Sequence, residues 1–354
     1  MNEEFLQELS NADAIASKES EVRNLLVTAN KANCDEVACD HLGSVIFRKI
    51  GKDHDPLKIM FTGHMDEVGF QVRHLADNGF VYLIKVGGVR DNSLDMQKVR
   101  ITTREGKKIP GLMNTTRNGS GAVSDIYMDL GVASREELEK LGVEIGNMVT
   151  FDTDCLLPEG TDVVMGKAMD DRTGCYVISK ALENLKEEKL PSTILMVGTS
   201  SEEVGTRGAK TAAWQEDPDI VIAVDVANNP ELDTSFKNHR KLGEGCMIEH
   251  YDKTMAPNEK LLNFVKDTAK ANGISFQSDM LSGGGTDCAQ AHLLKNGKLA
   301  LVIGIPLHNC HGSVSFANKK DLDSAIELVC VLARTLNKDK YHQFIQFIEE
   351  EKND

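Results

Sequence analysis

A chain of 354 residues with 41% hydrophobic and 5% aromatic residues has the material for one large α/β domain or two domains. The formal charge of −15 excludes a general nucleic-acid binder and argues against docking on an anionic membrane. No apolar run reaches the roughly 18 residues of a bilayer span, the acidic start Met1-Asn2-Glu3-Glu4-Phe5 is unlike a signal peptide, and eight scattered cysteines without a CxxC pair fit reduced thiols, so a cytoplasmic location is expected.

Residues 19–32 place Val22, Leu25, Leu26 and Ala29 at helical spacing, with Ser17 or Ser20 as caps. Strands are predicted at 43–49 and 57–62. From 68 to 162 the texture changes to short strands and tight turns. Phe70–Leu75 and Phe80–Val86 flank Asp77-Asn78-Gly79, and Val99–Thr103 and Lys108–Met113 flank a second turn, so two hairpins are predicted, followed by an apparent loop at 114–120. Ser134-Arg135-Glu136-Glu137 reads as a capping box for a short helix.

After Gly166 helices and strands alternate. Helices are predicted at 172–187, near 206–214, at 258–272, from about Thr286, at 319–337 and in the charged segment 338–354. Strands are predicted at 193–199, 220–225, 245–250, 274–278 and 299–305. Cys175 and Cys330 fall on apolar helix faces and read as core. The class expected is α/β: a helix-covered, largely parallel mixed sheet with a small β-rich insert. The α/β domain would be discontinuous, 1–67 and 163–354, with 68–162 inserted.

Candidate metal ligands recur where strand-like runs end. His64 and Asp66 follow Ile59-Met60-Phe61, the paired Glu202-Glu203 follow Ile194–Thr199, Asp225 ends Ile220–Val224, and His311 comes shortly after Leu301–Ile305. Asp170-Asp171 open a helix. In open α/β sheets ligands bind outside the carboxyl ends of strands, so the repeated placement carries the inference. Singly, each residue has a plainer explanation: a surface or core histidine, a solvated Glu pair, an N-cap aspartate. Imidazoles and carboxylates without clustered thiolates suit zinc or cobalt, then manganese. Two ions are accommodated if one carboxylate bridges, the arrangement of co-catalytic hydrolases. Asp66 is placed to orient His64, and one of the Glu pair to act as general base. Gly283-Gly284-Gly285-Thr286-Asp287 opens a helix and could cradle an anion or a peptide backbone; it is not a Walker loop, because no GKT or GKS follows. Cys310-His311 adjacency does not position a thiolate–imidazole pair, and no G-x-S-x-G elbow is present.

The stretches Gly63-His64-Met65-Asp66-Glu67-Val68-Gly69-Phe70, Gly166–Arg172, Glu202–Ala209, Ala223-Val224-Asp225 and Gly284-Gly285-Thr286-Asp287 resemble those of the glutamyl/deblocking aminopeptidases, dinuclear metallopeptidases of the tetrahedral type. The resemblance implies one ion held by His64 and Asp225 and a second by Glu203 and His311, with Asp170 bridging. It implies Glu202 as general base, Asp66 orienting His64, and substrate contacts at Gly284, Gly285 and Asp287. It also implies that the insert is a PDZ-like dimerisation domain, and that dimers build a hollow dodecamer admitting short peptides. Departures stand at Ser201, His308 and Gly312-Ser313-Val314-Ser315, where relatives often carry Gln, Arg and a polar run ending in Glu.

The expected activity is therefore removal of N-terminal residues from short peptides by a dimetal-bridged hydroxide. The alternative keeps two metals but cleaves N-acyl amino acids or another small amide. A glycosidase fits poorly, because its carboxylates must flank a sugar bond. A non-catalytic oligomer with a relic site would be missing a ligand, and none is missing.

Overall fold

The computed structural model describes residues 3–228 and 239–348. Helices α1 (Glu3–Asn11) and α2 (Ser20–Asn30) lead into strands β1 (Glu36–Cys39), β2 (Val45–Lys49) and β3 (Lys58–His64). No side chain caps α2; the Glu19 carboxylate before it instead accepts hydrogen bonds from the Ser17 and Ser201 amides and the Ser200 hydroxyl.

The chain then leaves the sheet. Strands β4 (Gly69–Leu75), β5 (Phe80–Val86), β6 (Gln97–Thr102), β7 (Lys108–Arg117), β8 (Val123–Asp129) and β9 (Met148–Phe151) close a barrel in the order β4-β5-β8-β7-β6-β9. Both predicted hairpins are present as β4–β5 and β6–β7. Asn114–Arg117, read as loop from sequence, instead extend β7 and pair with β8. Helix α3 (Arg135–Lys140) is capped by the Ser134 hydroxyl, which accepts from the Glu137 amide. Alternate inward residues fill the barrel, with Phe70 and Phe151 edge to face at 5.7 Å, so the insert has an apolar core of its own.

The second half returns through β10 (Val163–Gly166), α4 (Met169–Leu185), β11 (Thr193–Thr199), α5 (Arg207–Glu216) and β12 (Ile220–Asn228). There follow β13 (Cys246–Glu249), α6 (Glu259–Ala271), β14 (Phe276–Asp279), α7 (Cys288–Ala291), β15 (Leu299–Leu307), β16 (Ser315–Asn318), α8 (Lys319–Thr335) and α9 (Lys338–Ile345). The helix from Thr286 shrinks to four residues, and residues 349–354 of the predicted terminal helix lie outside the described residues.

Eight strands form one sheet in the order β1-β2-β11-β3-β12-β15-β13-β14. Its centre, β11-β3-β12-β15, is parallel; β2 and β13 flank it antiparallel, β1 pairs antiparallel with β2, and β14 parallel with β13. Every residue of β11 is buried, as a strand covered on both faces requires. Helices α4 and α8 cover one face through Tyr176, Val177, Leu182, Leu328 and Leu332; α5 and α7 cover the other through Ala209, Ala213, Cys288 and Ala291. Cys175 and Cys330 are buried in the first layer.

Candidate metal centre

Neighbouring parallel strands deliver the candidate ligands to one place. His64 is the last residue of β3 and faces Thr199, the last of β11, in register; Asp225 stands on the adjoining β12, paired with Gly304 of β15. Close backbone packing fixes their height. A Cβ on Gly63 would stand 2.6 Å from the Gly174 carbonyl carbon, and one on Gly174 would collide with the Asp171 carboxylate and the Val224 carbonyl. Only glycine at both positions lets the first turn of α4 rest on the ends of β3 and β12.

That turn divides labour between two aspartates, neither with helical backbone angles, joined by a cis peptide. Asp171 accepts from the Gly174 amide at 2.9 Å and from the His64 amide at 3.0 Å, so it both caps the helix and holds the His64 backbone. Asp170 is thereby freed to face the cavity. Its Oδ1 lies 2.9 Å from His64 Nε2 and its Oδ2 lies 3.1 Å from His311 Nε2. One carboxylate thus presents one oxygen to each imidazole.

The other donors close around this axis. Glu202 Oε2 is 3.9 Å from His64 Nε2, and Glu203 Oε1 is 3.6 Å from His311 Nε2. Donor atoms of His64, Asp171 and Asp225 lie within 4.8 Å of one another, as do those of His64, Glu202 and Glu203, and of Asp170, Cys310 and His311. Asp66 faces His64 as expected but has a second role. The His64 ring meets the Asp66 backbone carbonyl at 2.9 Å, while the Asp66 carboxylate is 3.6 Å from Nδ1. That carboxylate accepts the Glu202 amide at 2.9 Å and the Glu203 amide at 3.1 Å, so it chiefly fixes the turn presenting the Glu pair. Ala168, Ser201 and His311 adopt left-handed backbone angles (φ 54, 59 and 62), strained positions of the kind that gather at functional sites.

The barrel reaches into the same cavity. His311 Nδ1 pairs with the Gly88 carbonyl at 3.1 Å, the Arg90 amide donates to the His311 carbonyl, and Arg90 lines the wall. The cavity, of about 580 Å³, is walled by the candidate ligands, Gly283–Gly285, Thr286, Asn228 and Thr254, within the range of small-ligand sites. Asp287 sits behind that wall, 2% exposed, with its Oδ2 accepting the Thr199 hydroxyl at 2.7 Å. The glycine loop therefore faces the cavity, but Asp287 does not line it.

Under the site lies a fully buried ion cluster. Lys167 Nζ reaches Glu67 at 2.6 Å and Asp13 at 3.0 Å, and Arg172 bonds Glu67 Oε1 at 3.1 Å and the carbonyls of Leu9, Ala12 and Met65. From the barrel, Arg100 grips Asp13 through two nitrogens. These bonds join the His64 loop, the Asp170 loop and the insert. Sequence reading took Asp171 only as one of two helix-opening aspartates and gave no role to Lys167, Arg172 and Arg90. The first three had a visible signal, charges inside apolar runs beside the ligands; Arg90 had none.

The electrostatics show a surplus of negative charge. Burial raises the Glu202 carboxyl well above its ordinary range, with Asp225 and Glu203 adding to the effect. Burial and the Asp170 charge push Glu203 up to about 8, and burial with Asp170 pushes Asp225 up to about 7. Burial opposes charge on both imidazoles, yet hydrogen bonds to Asp170 and the surrounding carboxylates hold His64 well above its usual range and His311 at about 9. Asp170, against its burial, is held well below the carboxylate range by the two histidines. Glu203 Oε1 is buried with no hydrogen-bond partner among the described residues. An orphaned oxygen and crowded carboxylates around imidazoles fit divalent cations, in zinc, cobalt or manganese chemistry.

Residues 43–328 match the model of the M42 glutamyl aminopeptidase family. The chain belongs to that family. An M42 relative in Escherichia coli (strain K12), the putative aminopeptidase FrvX, is 33% identical over 98% of this chain and 99% of its own length. The glutamyl aminopeptidase of Lactococcus lactis is 32% identical over 85% of this chain and 87% of its own, and the lysyl aminopeptidase of Pyrococcus furiosus 30% over 89% and 91%. Among solved M42-like structures, the TET aminopeptidase of Thaumarchaeota archaeon SCGC AB-539-E09 superposes with a TM-score of 0.92 at 32% identity, covering 97% of this chain and 99% of that one. The Pyrococcus horikoshii TET1 peptidase, described as assembling into a tetrahedron or a large octahedral shell, does so with 0.84 at 27% identity, covering 94% and 99%. The M42 family is one of aminopeptidases, and the α/β architecture with its barrel is common to these structures.

Proposed function

We propose that this M42 protein is a metal-dependent aminopeptidase that removes N-terminal residues from short peptides. The observation that carries the reading is Asp170, which offers one oxygen to His64 and the other to His311. His64 and Asp225 would hold one divalent ion, Glu203 and His311 a second, and Asp170 both. When bound, such ions supply Lewis acidity toward the scissile carbonyl and a water nucleophilic at neutral pH.

The chain's own residues do the rest. Glu202, buried and crowded by like charges, binds a proton more readily than an ordinary carboxylate, so its carboxylate can take the proton of the attacking water. The same oxygen then returns that proton to the departing amine nitrogen, leaving Glu202 ionised again. Asp66 keeps Glu202 and Glu203 in place through their amides. The family match favours aminopeptidase action over cleavage of N-acyl amino acids. Gly284 and Gly285, on the opposite wall, leave room for the peptide backbone. Arg90, the only lysine or arginine on that wall, has no carboxylate partner among the described residues and is suited to a substrate carboxylate.

The relatives' names disagree on the preferred residue, one glutamyl and one lysyl, so the side-chain preference is a property of each pocket rather than of the family. The barrel and flanking residues, 68–162, are proposed as a dimerisation module, with the dimers building a closed shell as the P. horikoshii relative does. The test is a panel of short peptides, each free and N-acetylated, given to protein loaded with zinc, cobalt or manganese. Turnover of the free forms alone is expected; turnover of only the acetylated forms would replace this reading with the amidohydrolase one.

A further inference from the structure

Cys310 is the one thiol in the centre, and neither the general hydrolase chemistry nor the ligand assignment above uses it. Its Sγ lies 2.9 Å from Asp170 Oδ2, the same oxygen that faces His311 Nε2 at 3.1 Å. The sulfur, that oxygen and a His311 nitrogen all fall within 4.8 Å of one another. A second observation points to the same spot. Glu203 Oε1, buried on a side chain only 5% exposed, has no hydrogen-bond partner among the described residues and aims at His311 Nε2 from 3.6 Å. Nitrogen, oxygen and sulfur from His311, Asp170 and Cys310 therefore face one small volume, which Glu203 approaches from the His311 side.

We propose that Cys310 is a sulfur ligand of the ion shared by Asp170, Glu203 and His311. The inference rests on the metal-dependent reading above. As the sulfur–metal bond forms, the S–H bond breaks and its proton passes to solvent. The 2.9 Å separation is that of an S–H···O hydrogen bond; tetrahedral zinc, with zinc–sulfur bonds of about 2.3 Å and zinc–oxygen bonds of about 2.0–2.2 Å, sets sulfur and oxygen about 3.6 Å apart, so the two side chains would part by about 0.7 Å to admit the ion. The Cys310 amide, donating to Asn228 Oδ1 at 3.3 Å, ties this loop to the end of β12 beside Asp225. The consequence is selectivity: a soft thiolate beside hard carboxylates strengthens the preference for zinc over manganese at this position and leaves that of the His64–Asp225 position unchanged. Sequence adjacency gave no hint, because Cys310 and His311 meet on the Asp170 carboxylate, a residue 140 positions away from Cys310 in sequence.

The test is zinc-edge X-ray absorption on the full chain loaded with zinc, compared with Cys310→Ser. Wild type is expected to show a sulfur shell near about 2.3 Å, averaging about one sulfur per two zinc ions, and the variant only nitrogen and oxygen. Dialysis against mixed zinc and manganese should leave wild type richer in zinc than the variant by about tenfold at one site. Zinc bound with nitrogen and oxygen alone in wild type would overturn this inference and leave the metal-dependent reading standing. Wild type that retains no zinc, cobalt or manganese would overturn both. The wild-type spectrum decides the point even if the serine variant fails to fold.

Discussion

Asp66→Asn isolates the part of the centre that holds the Glu pair. The carboxylate is wholly buried and accepts the Glu202 and Glu203 amides at 2.9 and 3.1 Å. Asparagine keeps the shape but offers one oxygen and one NH2, so whichever way it turns, one of the two amides faces a donor. A buried unsatisfied N–H costs about 1–3 kcal/mol, and the surviving bond loses its charge assistance, about a further 1 kcal/mol. The sum is about 2–4 kcal/mol. If about 3 kcal/mol of this appears as displacement of Glu202 and Glu203 from the transition-state geometry, kcat/KM falls roughly a hundredfold. Whatever is not lost in rate should appear as a lower denaturation midpoint. The assay is kcat/KM on a free dipeptide and a free tripeptide, with metal content and urea midpoint measured on the same preparation. An Asp66→Asn protein within about twofold of wild type in rate, metal and midpoint would refute the positioning role.

Glu202→Gln should lower kcat by about two to four orders of magnitude while retaining the metal, because it removes the proton carrier and leaves His64, Asp170, Glu203, Asp225 and His311 intact; metal lost with little change in rate would reverse the roles assigned to Glu202 and Glu203. Arg90→Ala should raise KM about 10- to 100-fold for substrates carrying a carboxylate close to the scissile bond and change kcat little, a split read from initial rates on dipeptides against their amides; equal effects on both would remove Arg90 from substrate binding. Burial, aided by the charges of Asp252 and Asp225, pushes the Glu249 carboxyl up to about 9. The folded protein then keeps a proton that the unfolded chain releases near pH 4.5, so this group's contribution to stability falls as pH rises through that window and levels off above about 9. Glu249→Gln, neutral throughout, should flatten the decline of the urea midpoint between pH 5.5 and 8.5; parallel profiles would show that Glu249 is ionised in the fold.

Much of the architecture was legible because its signals are local. The strand Thr193–Thr199 was read to the residue, and the change to short strands and tight turns after residue 68 marked the stretch whose strands close the barrel. Strand β1, with mostly exposed residues, and strands β10 and β16, which pair with each other from opposite ends of the second half, lack any such rhythm. They are held by partners far along the chain, which periodicity does not register. The candidate site was legible as a set of residue types at strand ends. Its geometry was not: that Asp171 rather than Asp170 caps α4, that Asp66 holds amides more than an imidazole, and that Arg90 and Gly88 arrive from the barrel all depend on packing. The Cys310 sulfur was dismissed on adjacency, whereas its neighbour in space is Asp170.

The central claim is that His64, Asp170, Glu203, Asp225 and His311 share two cations. Anomalous diffraction from crystals of metal-loaded protein tests it most directly. Two peaks per chain are predicted, one between His64 and Asp225 and one between Glu203 and His311, with Asp170 touching both. A single peak away from Asp170, or none in a protein that still cleaves free peptides after exhaustive chelation, would contradict it.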